Sequence, residues 1–313
     1  RGPPSSNVLP GSLSPRRQFL PRAHRPAVPP VPPLNSNTAT GFSREGGEQR
    51  GTIEPRWAET SGETLEPAPS EGEAATLRNE LCEAMAAIHQ RGWCDGTGGN
   101  FSCVLEREPL LVLMAPSGVD KGRVRPQELI VVDGEGHVSR GSGRASAETL
   151  LHLAIVKKTG AGAVLHTHSQ AGTLLSQWSW KLGGPQASQI DGPGLLEDRV
   201  EDGVAYLEVR NLEMLKGIAG ITTHQSEVRI PVLANDQDLG RLSRRAVPHL
   251  DRAPAGLLIA GHGLYAWGQD LTEARRHLEI LEFLMEQRWR QLLLESLMER
   301  SLDSAPANVE QGS

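Results

Sequence analysis

The 313-residue sequence predicts an α/β fold, and three observations lead there. An apolar stripe at helical spacing opens the first stretch able to form a core, short β-like runs bounded by turn residues follow, and beyond about residue 147 helical and strand-like stretches alternate. Hairpin-like spacing among the β runs predicts a sheet built largely from neighbouring strands, with helices covering it.

Residues 1 to about 70 hold thirteen of the 22 prolines, many Ser and Gly, and no sustained apolar periodicity. Burial there cannot offset the entropy of ordering the chain, so 1–70 is expected to be a disordered tail. Its first forty residues carry several Arg and no Asp or Glu, as transit peptides do, but lack their amphipathic pattern. The displayed chain starts at Arg1 rather than Met, and the native start is expected elsewhere. A catalytic domain is expected over 71–298 and a flexible tail over 299–313. Leu77, Leu81, Met85 and Ile88 recur every three or four residues and place one apolar face on a helix that ends at Gly92. Strands are expected at Leu110–Met114 and Leu129–Val132, with turns at Ser117-Gly118 and Asp133-Gly134. A helix over Ala147–Lys158, a strand over Ala163–His168 and a helix over Ala171–Trp178 come next. The stretch from about Trp180 to Asp202, rich in Gly, Pro, Asp and Gln, reads as a surface insertion. A short helix at Glu213–Gly220, strands at Val228–Leu233 and Gly256–Ala260, and a long helix from about Thr272, with Leu278, Leu281, Met285, Trp289 and Leu292 on one face, complete the series.

Composition narrows the function. A net charge of −6 and an isoelectric point near 6.0 argue against a surface that neutralises nucleic acid, and no apolar run is long enough to span a membrane. The three cysteines, Cys82, Cys94 and Cys103, lack the spacing of a zinc ribbon or a disulfide framework, which fits a reducing, cytoplasmic setting. Cys94 is read as a buried filler.

His166-Thr167-His168 closes an apolar run. In a strand, residues i and i+2 project from one face, so both imidazoles can reach a single cation. Gly261-His262-Gly263 follows another strand and supplies a third imidazole with room around it. Three neutral imidazoles with an open position suit a catalytic Zn2+, one per chain, although iron, manganese or cobalt would also be accepted. His152 and His277 fall within helical patterns as packing residues, as does His89; His24 and His137 are solvent-facing, and His224 lies in a loop from which it could approach the site.

Gly96-Thr97-Gly98-Gly99-Asn100 offers backbone N–H groups that can wrap an anion, with donors from Thr97 and Asn100. Ser117, Gly118, Lys121 and Ser146 can complete a phosphate pocket. The pattern is neither a Walker loop nor a dinucleotide fingerprint, so ATP and NAD are not implied. Two carboxylates can move protons beside a metal-polarised carbonyl: Glu148, at a helix start, and Glu213, in Glu213-Met214-Leu215-Lys216-Gly217.

Taken together, Gly92-Trp93 leading into Gly96 to Ser102, Ala115-Pro116-Ser117-Gly118, Ser146-Ala147-Glu148, His166-Thr167-His168 and Gly261-His262-Gly263 resemble the class II aldolase and adducin superfamily, over about residues 74 to 295. Segments Ala115–Lys121, Glu213–Gly217 and Tyr265-Ala266-Trp267-Gly268 resemble its dehydratase branch. The resemblance implies an α/β/α sandwich around a mostly antiparallel sheet, usually as a homotetramer, with zinc on His166, His168 and His262. It implies Glu213 as the catalytic glutamate, most naturally the acid toward the departing hydroxyl. Thr97, Gly98, Asn100, Ser117, Gly118, Ser146 and Glu148 are expected around the substrate; related aldolases keep a metal-reaching glutamate at the position of Glu148. The implied substrate is the sugar phosphate 5-methylthioribulose 1-phosphate, which would lose water in methionine salvage. The alternatives are a sugar-phosphate aldolase or epimerase and, in another class, a non-catalytic adducin-like interaction module.

Overall fold

The computed structural model describes Gly2, residues 70–183 and residues 203–303. The expected tail over 1–70, apart from Gly2 and Ser70, most of the expected insertion, and residues 304–313 lie outside the described residues.

Helix α1, Glu71–Gln90, begins at a capping box: the Ser70 hydroxyl accepts from the Glu73 N–H at 3.3 Å and the Glu73 carboxylate accepts from the Ser70 N–H at 2.8 Å. Leu81, Met85 and Ile88 are fully buried on its inner face. The chain then forms nine strands: β1 Asn100–Arg107, β2 Leu110–Met114, β3 Ile130–Asp133, β4 Val138–Arg140, β5 Ala163–Thr167, β6 Ala205–Arg210, β7 Glu227–Leu233, β8 Gly256–Ile259 and β9 Gly263–Gly268. They make one sheet in the order β4-β3-β2-β1-β5-β9-β8-β7-β6, antiparallel throughout except where β7 meets β8. That parallel pair needs a crossover, and α4, Leu239–Leu250, provides it. The other helices are α2, Thr149–Thr159, α3, Gln170–Gly183, and α5, Leu271–Asp303, which continues past residue 298. Residues 213–217 form a 3-10 turn.

Strand alternation sorts the core into two layers. Phe101, Cys103, Leu165, Leu264 and Ala266 face α1, α3 and α5, whereas Val164, Leu257, Ile259, Tyr265 and Trp267 face α2 and α4. The result is the expected helix/sheet/helix sandwich. On α5, Leu278, Leu281, Leu284 and Met285 are wholly buried, each worth about 1.5–3 kcal/mol relative to exposure. Cys82, Cys94 and Cys103 are free thiols, with burial the largest influence raising all three pKa values. Among the described residues no helix is long and apolar enough to cross a membrane.

Candidate metal centre

His166 and the residue two further on, His168, share the α2/α4 side of the sheet at the end of β5. His166 is fully buried; its ring stacks on Tyr265 of the neighbouring strand, centroids 3.9 Å apart, and its Nδ1–H donates to the Leu264 carbonyl at 2.9 Å. That bond leaves the Nε2 lone pair free for another partner. The His168 Nε2 lies 2.8 Å from it. His262 arrives from the turn between β8 and β9, where Gly263 is required by close approach: a Cβ there would sit 1.9 Å from the Thr167 carbonyl oxygen. Glu148, at the N-cap of α2, makes no cap bond with its side chain and turns its carboxylate to the same point, with Oε1 2.9 Å from His262 Nε2 and 3.8 Å from His166 Nε2. One donor atom from each of Glu148, His166, His168 and His262 lies within 4.8 Å of all the others.

The electrostatics agree with the geometry. Burial takes His166 well below the ordinary imidazole pKa and lowers His168 as well, so both rings are neutral near pH 7 and present lone pairs. Burial would raise the Glu148 carboxyl, but the hydrogen bond from His262 and the nearby His166 and His168 outweigh it and bring it to about 2. The facing Nε2 atoms of His166 and His168, the ionised Glu148 carboxylate and the His262 Nε2 beside it form a donor set fitted to a divalent cation.

A cavity of about 610 Å³ opens over this cluster, with His168, His262 and Glu148 in its wall. Its rim includes the loop at residues 96–100, where Gly99 has φ +76° and a Cβ would lie 2.7 Å from the His166 carbonyl oxygen. Glycine is thus required for the loop to lie against β5.

The pattern called Class II Aldolase and Adducin N-terminal domain matches residues 79–289. This chain belongs to the class II aldolase and adducin family. Methylthioribulose-1-phosphate dehydratase of Pectobacterium carotovorum subsp. carotovorum is 39% identical over 228 residues, 71% of this chain and 98% of that protein. The protein of the same name from Methylococcus capsulatus is 39% identical over 217 residues, 68% and 93% of the two chains. Among solved structures, L-fuculose-1-phosphate aldolase from Thermus thermophilus superposes with a TM-score of 0.52 at 22% identity, covering 71% of this chain and 98% of that one. The L-fuculose 1-phosphate aldolase from Glaciozyma antarctica gives 0.52 at 18%, covering 75% and 79%. At these identities the two structures speak for the class II aldolase fold alone.

In this family member the seven residues expected around the substrate, Thr97, Gly98, Asn100, Ser117, Gly118, Ser146 and Glu148, all line the cavity. Two of them also take part in the histidine cluster. The Asn100 amide donates to the Glu148 carboxylate, and Glu148 stands among the three histidines. Lys121 is buried, with its ammonium donating to the carbonyls of Thr97 and Val119, both at 3.1 Å, so it braces the glycine-rich loop. Glu213 is not brought to the cavity lining: its side chain is 71% exposed and pairs with Lys216 and, at 3.9 Å, His224. His224 accordingly stays beside Glu213. Sequence reasoning missed Arg144 and Asn235-Asp236-Gln237, which also line the cavity. Asp236 is held by Arg241 at 2.6 Å and Arg245 at 2.8 Å. The acidic residue at the start of an arginine-rich helix was the available signal for that wall.

Proposed function

We propose that this chain is a zinc-dependent hydro-lyase that converts 5-methylthioribulose 1-phosphate to 2,3-diketo-5-methylthiopentyl 1-phosphate, working as a homo-oligomer in the cytoplasm. The observation that carries the metal part is the meeting of Glu148, His166, His168 and His262 on a cavity rimmed by a glycine-rich loop. The choice of substrate rests on the relatives that carry the dehydratase name and align over nearly their whole length.

His166, His168 and His262 would hold the zinc, with Glu148 as a further donor. Bound there, zinc supplies Lewis acidity that makes the hydrogen on C3, next to the C2 carbonyl, easier to remove. The N–H groups of the loop at 96–100, the hydroxyls of Ser117 and Ser146 and the Arg144 guanidinium receive the phosphate. In the elimination, a base takes the C3 proton and its electron pair becomes the C2–C3 double bond of an enediolate. That pair then shifts to form the C3–C4 double bond as the C2 carbonyl re-forms, the C4–O bond breaks and the hydroxyl leaves as water once protonated. The resulting C3 enol gives up its hydroxyl proton and gains one on C4 to become the 2,3-diketone. Glu213 is assigned the proton for the departing hydroxyl. Its hydrogen bond to Lys216 keeps the carboxyl below the usual range and ionised at rest, so it must first take up a proton before giving one. Because Glu213 lies outside the cavity lining of a single chain, this role requires association of chains or closure of the 213–217 turn over the cavity.

The deciding experiment is product analysis of purified, zinc-loaded protein with 5-methylthioribulose 1-phosphate. The expected product keeps all five backbone carbons and has lost one water. Two- and three-carbon fragments would replace the dehydratase with an aldolase, and a chain that retains no zinc and leaves the substrate unchanged would indicate an interaction module.

A further inference from the structure

Thr167 sits between the two histidines of β5, and strand alternation turns it away from them, toward α5. Glu282 meets it there with no solvent exposure at all. The Thr167 hydroxyl donates to Glu282 Oε1 at 2.5 Å. The Ser169 hydroxyl faces the same carboxyl and also accepts from the Gly172 N–H at 3.0 Å, at the first turn of α3. Burial pushes the Glu282 carboxyl up to about 7, the two hydroxyls pull it down less, and its one charge-bearing influence, Glu286, raises it further. Among the described residues no cation pairs with it, and a carboxyl buried in this way is a costly choice where a leucine would fill the space. Its hydrogen bond falls on the residue before His168, and the hydroxyl of the residue after His168 faces the same carboxyl.

We propose that Glu282 is a positioning residue for the metal centre, a clamp that binds the Thr167 hydroxyl, faces that of Ser169 and so sets the end of β5, with His166 and His168 turned to one point. The inference rests on the metal reading above. A partner behind a ligand-bearing segment fixes the ligands' orientation, and its loss typically weakens metal binding about 10- to 100-fold.

The test is zinc affinity, measured by chelator competition on the full chain, for wild type, Glu282→Gln and Glu282→Leu, with cooperative thermal unfolding as the check on folding. Glutamine keeps the acceptor for Thr167, so Glu282→Gln is expected to stay within about threefold of wild type, whereas Glu282→Leu loses about 10-fold or more. Wild-type affinity in Glu282→Leu overturns the clamp, and so does a Glu282→Gln as weak as the leucine variant. Should Glu282→Leu fail to unfold cooperatively, Thr167→Val combined with Ser169→Ala removes the clamped hydroxyls and is read in the same way. A wild-type chain that binds no zinc overturns the metal reading and the clamp together, while zinc-binding wild type beside an undiminished leucine variant overturns the clamp alone.

Discussion

At the scale of single residues, the site depends on three imidazoles and one carboxylate meeting at one point. His-Thr-His on a strand and a histidine between two glycines are short patterns with a direct geometric meaning, and the structure brings all three rings together with Glu148. Removing one ring leaves two imidazoles and a carboxylate, so His168→Ala should lose bound zinc and, with it, turnover; zinc stoichiometry measured beside activity checks this, and full occupancy in the variant would refute it. Glu148 and Glu213 were not separable by sequence, because what distinguishes them is placement: one in the cavity wall, the other 71% exposed. Glu213→Gln should keep its zinc and lose about 10²-fold or more in turnover. Glu148→Gln should weaken zinc retention. A Glu213→Gln at wild-type rate beside an inactive, zinc-replete Glu148→Gln would transfer the proton to Glu148.

At the scale of elements, what could be read was whatever buried a simple period. The helices α1 and α5 and the strands β2, β3, β5, β7 and β8 each carry one. Strand β1 is hidden in the sequence because Asn100 and Ser102 interrupt its apolar run; both are buried all the same, with Ser102 hydrogen-bonded to His152 Nδ1 at 2.7 Å. Strand β6 has a clean signal, Ala205, Leu207 and Val209 buried in alternation, but it follows a stretch with the composition of a loop. Three arginines and Pro248 conceal α4, yet Leu242, Ala246 and Leu250 face the core, and Pro248 stands in its last turn, where only a short length of helix follows the N–H that proline lacks. The α5 carboxyl of Glu282 yields a pH prediction. Its folded pKa of about 7 exceeds the ordinary value of 4.5, so between these values the native state retains a proton that the unfolded state has lost. Its contribution is complete below pH 4.5 and disappears as pH rises through 7, a change on the order of 3 kcal/mol. Urea unfolding of chelator-treated protein from pH 5 to 8 should therefore show Glu282→Gln gaining on wild type as pH rises; parallel profiles would contradict the raised pKa.

At the scale of the whole molecule, the fold class followed from the alternation of elements, while the strand order did not: it depends on pairings between residues far apart in sequence. The family pattern starts at residue 79, and an alignment of 228 residues takes in 98% of the Pectobacterium relative. Deleting residues 1–69 should accordingly leave thermal unfolding and turnover nearly unchanged, since Ser70 and its capping box remain. A truncated protein that fails to fold would show that the domain starts earlier.

The middle of the sheet puts Asn100 beside His166 and His166 beside Tyr265, a single row across β1, β5 and β9. Loop-closure entropy makes such pairings slow to form, because nearly a hundred residues separate the two partners on β5 and β9. A collapsed chain early in folding has only the local His166-Thr167-His168 pair to offer, and His262 joins it when β9 docks. The site is therefore a late product of folding. Zinc would act as a lock on the finished molecule, slowing its unfolding far more than it speeds its formation.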